Sequence, residues 1–445
     1  MKIRISWLYV LALILICASI GSPVFADPPP PEYIQFSPSA TKGALYYPDP
    51  ALYPNPHVAV IIMHRNSNYL SHLGTREFPR RGFVALGMNP RCDNNEALCR
   101  PWENNALDVR SGVNFLKKLP GITKIILFGH SGGGPTMSFY QAVAENGVVF
   151  CQDPRKLVQC ADSLAGLPPA DGIVLMDAHP GNGVNALRSL NPAVTNDSAV
   201  LNQNREVRIN PNLDPGNPKN GFNPNGPTTY SEAFKKKYFK AQADRMNFLI
   251  AEALQRWQQI EAGTYKYPDD DAFIVPYGDA ARLSEADLSI HHSTVQPRKL
   301  VKNNGTIEGC CAVASVRVPT FDPEASGEFG STIFLTIQSF LSVRAMRSTD
   351  SMDGIDWCSS NNSTPCNLQK VSIPLLVTAM GGHYFIRDSE VFFDMAASAD
   401  KDFLVIEGAS HGGTPCTACE QVPGQYSNTV KNLFDQAANW INARF

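Results

Sequence analysis

This chain is poor in charge, and what it has nearly cancels. Asp, Glu, Lys and Arg make up 18% of the 445 residues, with a formal net charge of −3. That excludes a basic field able to hold nucleic acid or an anionic membrane surface. No internal repeat is found, which speaks against an array of stacked units. Gly, Pro and Asn are abundant instead, a composition that suits a globular chain with long loops. The strongest apolar run lies at the start, where Lys2 and Arg4 precede residues 7–18 and Val24-Phe25-Ala26 offers small residues for cleavage. Residues 1–26 therefore read as an export signal rather than an anchor, because the run is short for a membrane span. Ile16 stands before Cys17, where a lipid-modified cysteine needs a small residue. No stable membrane anchor is expected after cleavage, and the expected location is secreted or periplasmic.

Cysteine usage agrees with export. Ten of the 11 cysteines remain after residue 26, and they fall into near neighbours: Cys92 and Cys99, Cys151 and Cys160, Cys310 and Cys311, Cys358 and Cys366, Cys416 and Cys419. An even number of locally grouped cysteines suggests disulfides in an oxidising compartment, with connectivity open. Bridging the adjacent Cys310 and Cys311 would be strained. Cys416-Thr-Ala-Cys419 fits a structural staple better than a redox or metal motif. Asn-x-Ser/Thr sites such as those at Asn196, Asn304 and Asn361 matter only in a eukaryotic secretory pathway.

Apolar runs at 57–63, 83–88, 124–128, 172–176, 374–379 and 402–406 lack alternation, as expected for central parallel strands covered on both faces. Helical spacing appears between them, with Val109, Val113 and Leu116 in one stretch and Val430, Leu433, Phe434, Ala437, Trp440 and Ile441 in another. Strand–helix alternation of this kind predicts a doubly wound, mostly parallel α/β sheet. The alternation stops between about 181 and 370, the place for a cap. Within it, 182–229 lacks periodicity, 231–262 and 331–347 read as helices, and 272–276 as a strand. Residues 27–43 are expected to be a flexible lead-in, with the core in two parts at 44–180 and 371–445.

The run at 124–128 leads into Gly129-His130-Ser131-Gly132-Gly133. A serine on a tight strand-to-helix turn is lifted from the sheet edge, and only glycines two positions either side let the turn close. Ser131 is the candidate nucleophile. His411, in the loop after the last predicted strand, is its candidate base. His291-His292 lacks an acidic partner at ligand spacing, so no metal is expected. Aromatic residues of the insertion (Phe234, Tyr238, Trp257, Tyr265, Tyr277) either line a pocket or form the core of the cap.

With Gly129-His130-Ser131-Gly132-Gly133, the His64-Arg65-Asn66 turn and Ser410-His411-Gly412 in place, the chain resembles the α/β-hydrolase superfamily, in its exported serine esterase and lipase branch. The resemblance covers about 44–180 and 370–445. It implies an acyl-enzyme mechanism without metal or organic cofactor, acting on a small-molecule or polymeric ester. It also implies an oxyanion hole from the Gly132 amide and a second amide at Arg65 or Asn66. Arg65 itself either adds a charged donor or pairs with an acid such as Asp93. The usual acid position after the 374–379 strand reads Met380-Gly381-Gly382-His383, with no carboxylate. Asp177, at the end of the preceding strand, is the favoured acid, with Glu390 and Asp388 as alternatives, and His383 a neighbour of substrate or acid. An amidase or peptidase with the same residues, or a non-catalytic binding protein on this scaffold, are the competing functions. Aspartate-nucleophile relatives are disfavoured by Ser131.

Overall fold

The six unalternating apolar runs become the centre of one sheet. The computed structural model describes residues 27–37, 39–197 and 207–445, so the expected export signal lies outside the described residues. Strands, in chain order, are β1 (Glu32–Gln35), β2 (Lys42–Tyr46), β3 (Val58–Met63), β4 (Val84–Asn89), β5 (Lys124–His130), β6 (Gly172–Met176), β7 (Ala272–Val275), β8 (Lys299–Val301), β9 (Ile307–Glu308), β10 (Ile333–Thr336), β11 (Leu375–Met380) and β12 (Lys401–Ile406). The helices used below are α1 (Asn105–Leu116), α2 (Gly133–Asn146), α3 (Asn182–Ser189), α4 (Glu232–Glu261), α5 (Ile386–Met395) and α6 (Thr429–Asn442). The main sheet runs β1-β2-β4-β3-β5-β6-β11-β12-β8-β9, parallel from β4 to β8 and antiparallel at both ends. This is the doubly wound, mostly parallel α/β architecture.

Successive strand residues point to opposite faces, and here both faces are covered. Leu127, Leu175 and Val377 pack beneath α1, α2 and α5 with Val109, Val113, Met137, Phe139 and Phe392. Their neighbours Phe128, Val174 and Leu376 pack on the other face with Leu433, Phe434, Trp440 and Ile441 of α6. That two-sided burial is why the runs show no alternation. Parallel strands also bring their C-terminal ends to one edge, where the chain turns out of the sheet into loops.

Four expectations need correction. Residues 27–43 are not a free lead-in: Glu32-Tyr-Ile-Gln pairs antiparallel with Lys42–Leu45 and extends the sheet edge. Residues 299–308, placed in the cap by sequence, belong to the main sheet as β8 and β9, because Leu300 and Val301 continue the β12 ladder. The 331–347 segment is not one helix. Ile333–Thr336 pairs as β10 with β7, and Thr336 then caps a short helical turn by accepting from Ser339 N at 3.2 Å. The aperiodic 182–229 stretch begins with a true helix, α3, fully buried. The long helix is as expected: Ser231 caps α4 by accepting from the Phe234 amide at 3.2 Å. Its Phe234 and Tyr238 lie in a cap core with Tyr230 and Leu283, while Trp257 and Tyr265 flank a second one around Leu249 and Phe340.

Cysteines pair locally as Cys92–Cys99, Cys151–Cys160, Cys358–Cys366 and Cys416–Cys419, leaving Cys310 and Cys311 exposed and unpaired. No helix among the described residues is long and apolar enough to cross a membrane. The sequon at Asn361 is closed off, since that side chain is buried and donates to Glu103 at 3.1 Å.

Glu103 ties the core to the cap, also accepting from Ser342 Oγ at 2.5 Å. Burial pushes its carboxyl up to about 7, against the pull of those two donors. Between the ordinary carboxyl value and about 7, the folded chain holds a proton that the unfolded chain has released. This contribution to stability is therefore full at acid pH and lost as pH rises through that window. The unfolding free energy from urea titration is expected to fall between about pH 5 and about pH 7.5, by at most about 1.4 kcal/mol per pH unit from this group. Glu103→Gln should flatten that slope. An unchanged slope in the variant contradicts the assignment.

Candidate active site

Ser131 sits just past β5 with φ 56°, the left-handed region that a side chain adopts only under constraint. The constraint is close packing. A Cβ at Gly129 would stand 2.9 Å from Gly133 O, one at Gly133 would stand 2.6 Å from Met63 O, and one at Gly134 would stand 2.4 Å from the Ala178 Cβ. The Ser131 carbonyl accepts from the Gly134 and His179 amides at 3.0 and 2.9 Å, which locks the turn. α2 begins at once behind it, at Gly133, so the positive end of its dipole lies beside the serine turn.

His411 arrives on the loop after β12. Ser410 N donates to Thr414 O at 2.7 Å and Cys416 N to Gly408 O at 2.9 Å, closing a tight loop that the Cys416–Cys419 disulfide follows. His411 Nε2 lies 3.0 Å from Ser131 Oγ, and its Nδ1 lies 2.6 Å from Asp177 Oδ2. Asp177 is fully buried at the end of β6, also at positive φ, 40°. Its Oδ1 accepts from the Met380 amide at 3.3 Å. Burial alone would raise its pKa, but the His383 and His411 imidazoles outweigh it and hold the carboxyl well below the usual range. Asp177 is therefore ionised. His383 Nδ1 stands 2.7 Å from the same Oδ2 but without hydrogen-bond alignment, and burial lowers its own pKa despite that neighbour. The Asp177, His383 and His411 donor atoms lie within 4.8 Å of one another, the one such group among the described residues.

The alternative acids are engaged elsewhere. Asp388 forms a buried ion pair with Arg188 at 2.7 Å. Glu390 accepts from the Val295 and Gln296 amides at 2.7 and 2.9 Å and pairs with Arg298 and Arg387. At Gly381 and Gly382 the turn after β11 has no room for a side chain. A Cβ at Gly381 would stand 2.9 Å from Ile406 O, and one at Gly382 would stand 2.8 Å from Ala409 O, under the His411 loop.

Of the expected oxyanion amides, those of Gly132 and Arg65 donate to no acceptor among the described residues, whereas the Asn66 amide is turned to His64 Nδ1 at 3.4 Å. Ser67 N donates to the same Nδ1 at 3.1 Å, so the hydrogen of His64 sits on Nε2. That atom lies 2.7 Å from where a Cβ of Gly132 would be, so it stands against the serine turn. The Arg65 guanidinium pairs with Glu96 at 3.1 Å, not with Asp93, which pairs with Lys42. Behind the serine, His130 Nε2 meets the His411 carbonyl at 2.9 Å and its Nδ1 meets His72 Nε2 at 2.9 Å.

One contact was not anticipated from the sequence: His179 Nε2 stands 2.9 Å from Ser131 Oγ, with its Nδ1 2.8 Å from Asn182 Oδ1. His179-Pro180-Gly181-Asn182, directly after the candidate acid, was the available signal.

No family model and no curated protein matches the chain. Solved structures do overlap it. A hypothetical protein, PA2218 from Pseudomonas aeruginosa, does so at TM-score 0.42 and 14% identity, covering 95% of this chain and 96% of its own. Brefeldin A esterase, a bacterial homologue of human hormone sensitive lipase, overlaps at TM-score 0.41 and 10% identity, covering 96% and 81%. Est1E from Butyrivibrio proteoclasticus overlaps at TM-score 0.36 and 11% identity, covering 94% and 99%. Such distant overlaps add nothing to what the sheet order itself shows.

The geometry separates the three carboxylates. Asp177→Asn is expected to lower kcat by about 10³-fold or more with little change in KM, since it removes the partner of His411. Asp388→Asn, which strands Arg188, should instead cost about 3 kcal/mol of stability while the folded fraction keeps its kcat. Urea titration beside kinetics on the two variants checks this, and the reverse pattern contradicts it.

Proposed function

We propose that this chain is an exported serine hydrolase of the α/β-hydrolase type that cleaves carboxylic esters through an acyl-enzyme. The observation that carries the reading is the continuous line from Ser131 Oγ through His411 to the buried, ionised Asp177, at 3.0 and 2.6 Å. It stands at the C-terminal edge of the parallel strands, beside two amides without acceptors.

The chemistry follows from that line. Ser131 Oγ attacks the ester carbonyl as His411 Nε2 takes its proton, and the imidazolium is stabilised by Asp177. The developing oxyanion is held by the Gly132 and Arg65 amides, with His64 Nε2–H beside them. His411 returns the proton to the leaving alcohol, then accepts one from water, and the acid departs. The reaction needs no metal or organic cofactor. The leader-like N-terminus and the locally paired cysteines support secretion or a periplasmic location. The substrate is a small-molecule or polymeric ester met outside the cytoplasm, with no nucleic acid and no stable membrane anchor involved.

A fluorophosphonate probe is expected to label wild type at Ser131 and to leave Ser131→Ala unlabelled. On p-nitrophenyl acetate, Ser131→Ala should lose about 10³-fold or more in kcat/KM. Matched anilides separate the amidase reading, which gains if they turn over as fast as the esters. Wild type that neither takes the probe nor turns over any ester or anilide is instead a binding protein on this scaffold.

A further inference from the structure

On the acyl-enzyme reading, Ser131 Oγ carries one hydrogen and faces two imidazole nitrogens, His411 Nε2 at 3.0 Å and His179 Nε2 at 2.9 Å. Which atoms carry hydrogens can be traced from the backbone. The Asn182 main-chain N–H can only donate, so the atom it meets on Asn362, 2.9 Å away, is Oδ1. The same Oδ1 lies 2.9 Å from the Asn182 side chain, which must present Nδ2 to it. Asn182 Oδ1 is left facing His179 Nδ1 at 2.8 Å, and that nitrogen carries the hydrogen. His179 Nε2 is thus a bare lone pair aimed at the serine. His411, with its Nδ1 hydrogen on ionised Asp177, presents a bare Nε2 as well. One hydroxyl hydrogen cannot satisfy both.

The two bases are unequal. A protonated His411 rests against a carboxylate. A protonated His179 would rest against a neutral amide, and its pKa is driven well down, first by burial and then by the Arg65 cation. His411 therefore takes the serine proton and His179 remains an acceptor. Its backbone is held by Thr364 Oγ1, which donates to the His179 carbonyl at 2.6 Å, and its ring packs edge-on against Phe385 with centroids 5.2 Å apart.

Acylation removes the only hydrogen between these two lone pairs. Water brings two. We infer that His179 is the second acceptor for the hydrolytic water, holding one O–H while His411 takes the other, so that the oxygen lone pair points at the acyl carbon. As the water O–C bond forms, one hydrogen passes to His411 Nε2. As the C–Oγ bond breaks, His411 returns that proton to Ser131 Oγ and the carboxylic acid leaves. His179 begins and ends the step neutral. Its contribution falls on deacylation.

Stopped-flow hydrolysis of p-nitrophenyl acetate, with intact-protein mass spectrometry of quenched samples, tests this in wild type, His179→Ala and Asn182→Leu. His179→Ala is expected to acylate within about threefold of the wild-type rate but to turn over about 30-fold more slowly, the scale of a lost water-orienting contact. Acyl-Ser131 should then accumulate. Asn182→Leu frees the ring and should give a smaller loss on the same step, which keeps the question decidable if His179→Ala folds poorly. Fluorophosphonate labelling at the wild-type rate shows that a variant's serine and His411 are intact. Acylation and turnover falling in the same proportion overturns the inference, as does an unchanged turnover. Wild type that takes no probe and turns over no ester fails earlier, at the esterase reading itself.

Discussion

A carboxylate buried without water must be matched by hydrogen-bond donors and opposite charge, and Asp177 is the place where this fold meets that demand. Its Oδ1 takes the Met380 amide, and its Oδ2 draws the imidazoles of His411 and His383 to 2.6 and 2.7 Å. The carboxylate thereby sets which nitrogen of His411 holds a hydrogen, and so which one is free to face Ser131. The strained backbones at Ser131 and Asp177 lie on adjacent parallel strands, tied by Ser131 N to Met176 O at 3.3 Å. Their positions are set by the ladder rather than by the loops, so a small shift in register would separate the hydroxyl from its base.

Much of this was legible in the residues, and for definite reasons. The parallel strands could be read because burial on both faces leaves unbroken apolar runs, and the serine turn because its glycines answer a steric demand that no other residue meets. Order along the chain sufficed to nominate His411. Asp177 could be favoured over Asp388 and Glu390 because the resemblance allows an acid one strand earlier, and because an unpaired carboxylate beside an apolar strand is costly. What settles the geometry is the Arg188 partner of Asp388 and the amides and arginines around Glu390, none of which sequence spacing reveals. The edge strands near residues 32–35 and 299–308 were missed because they are short and partly exposed, so they lack the apolar signal. The 331–347 segment was misread because Ile333-Phe-Leu-Thr can serve either period until a partner strand is known.

The least legible part is the polar segment around 359–364, which the sequence marks only by the Asn-x-Ser site at Asn361. In the fold, Ser359, Ser360, Asn361, Asn362, Ser363 and Thr364 are all buried. Asn361 reaches Glu103, and Asn362 orients Asn182 and through it His179. Polar residues in such a place are there for hydrogen bonds, not for solvent. The segment thus links the end of the cap to the serine, and the Cys358–Cys366 disulfide closes it. This run of Ser, Asn and Thr is, by its contacts, the support of the candidate site.

The central claim is that one hydrogen, on His411 Nδ1, is held by the Asp177 carboxylate. Proton NMR of chain labelled with ¹⁵N at histidine observes that hydrogen directly. The account predicts a strongly deshielded, slowly exchanging imidazole proton that is lost in Asp177→Asn and in His411→Gln but kept in Ser131→Ala. Wild type without such a resonance, or one that persists when Asp177 is replaced, would contradict it.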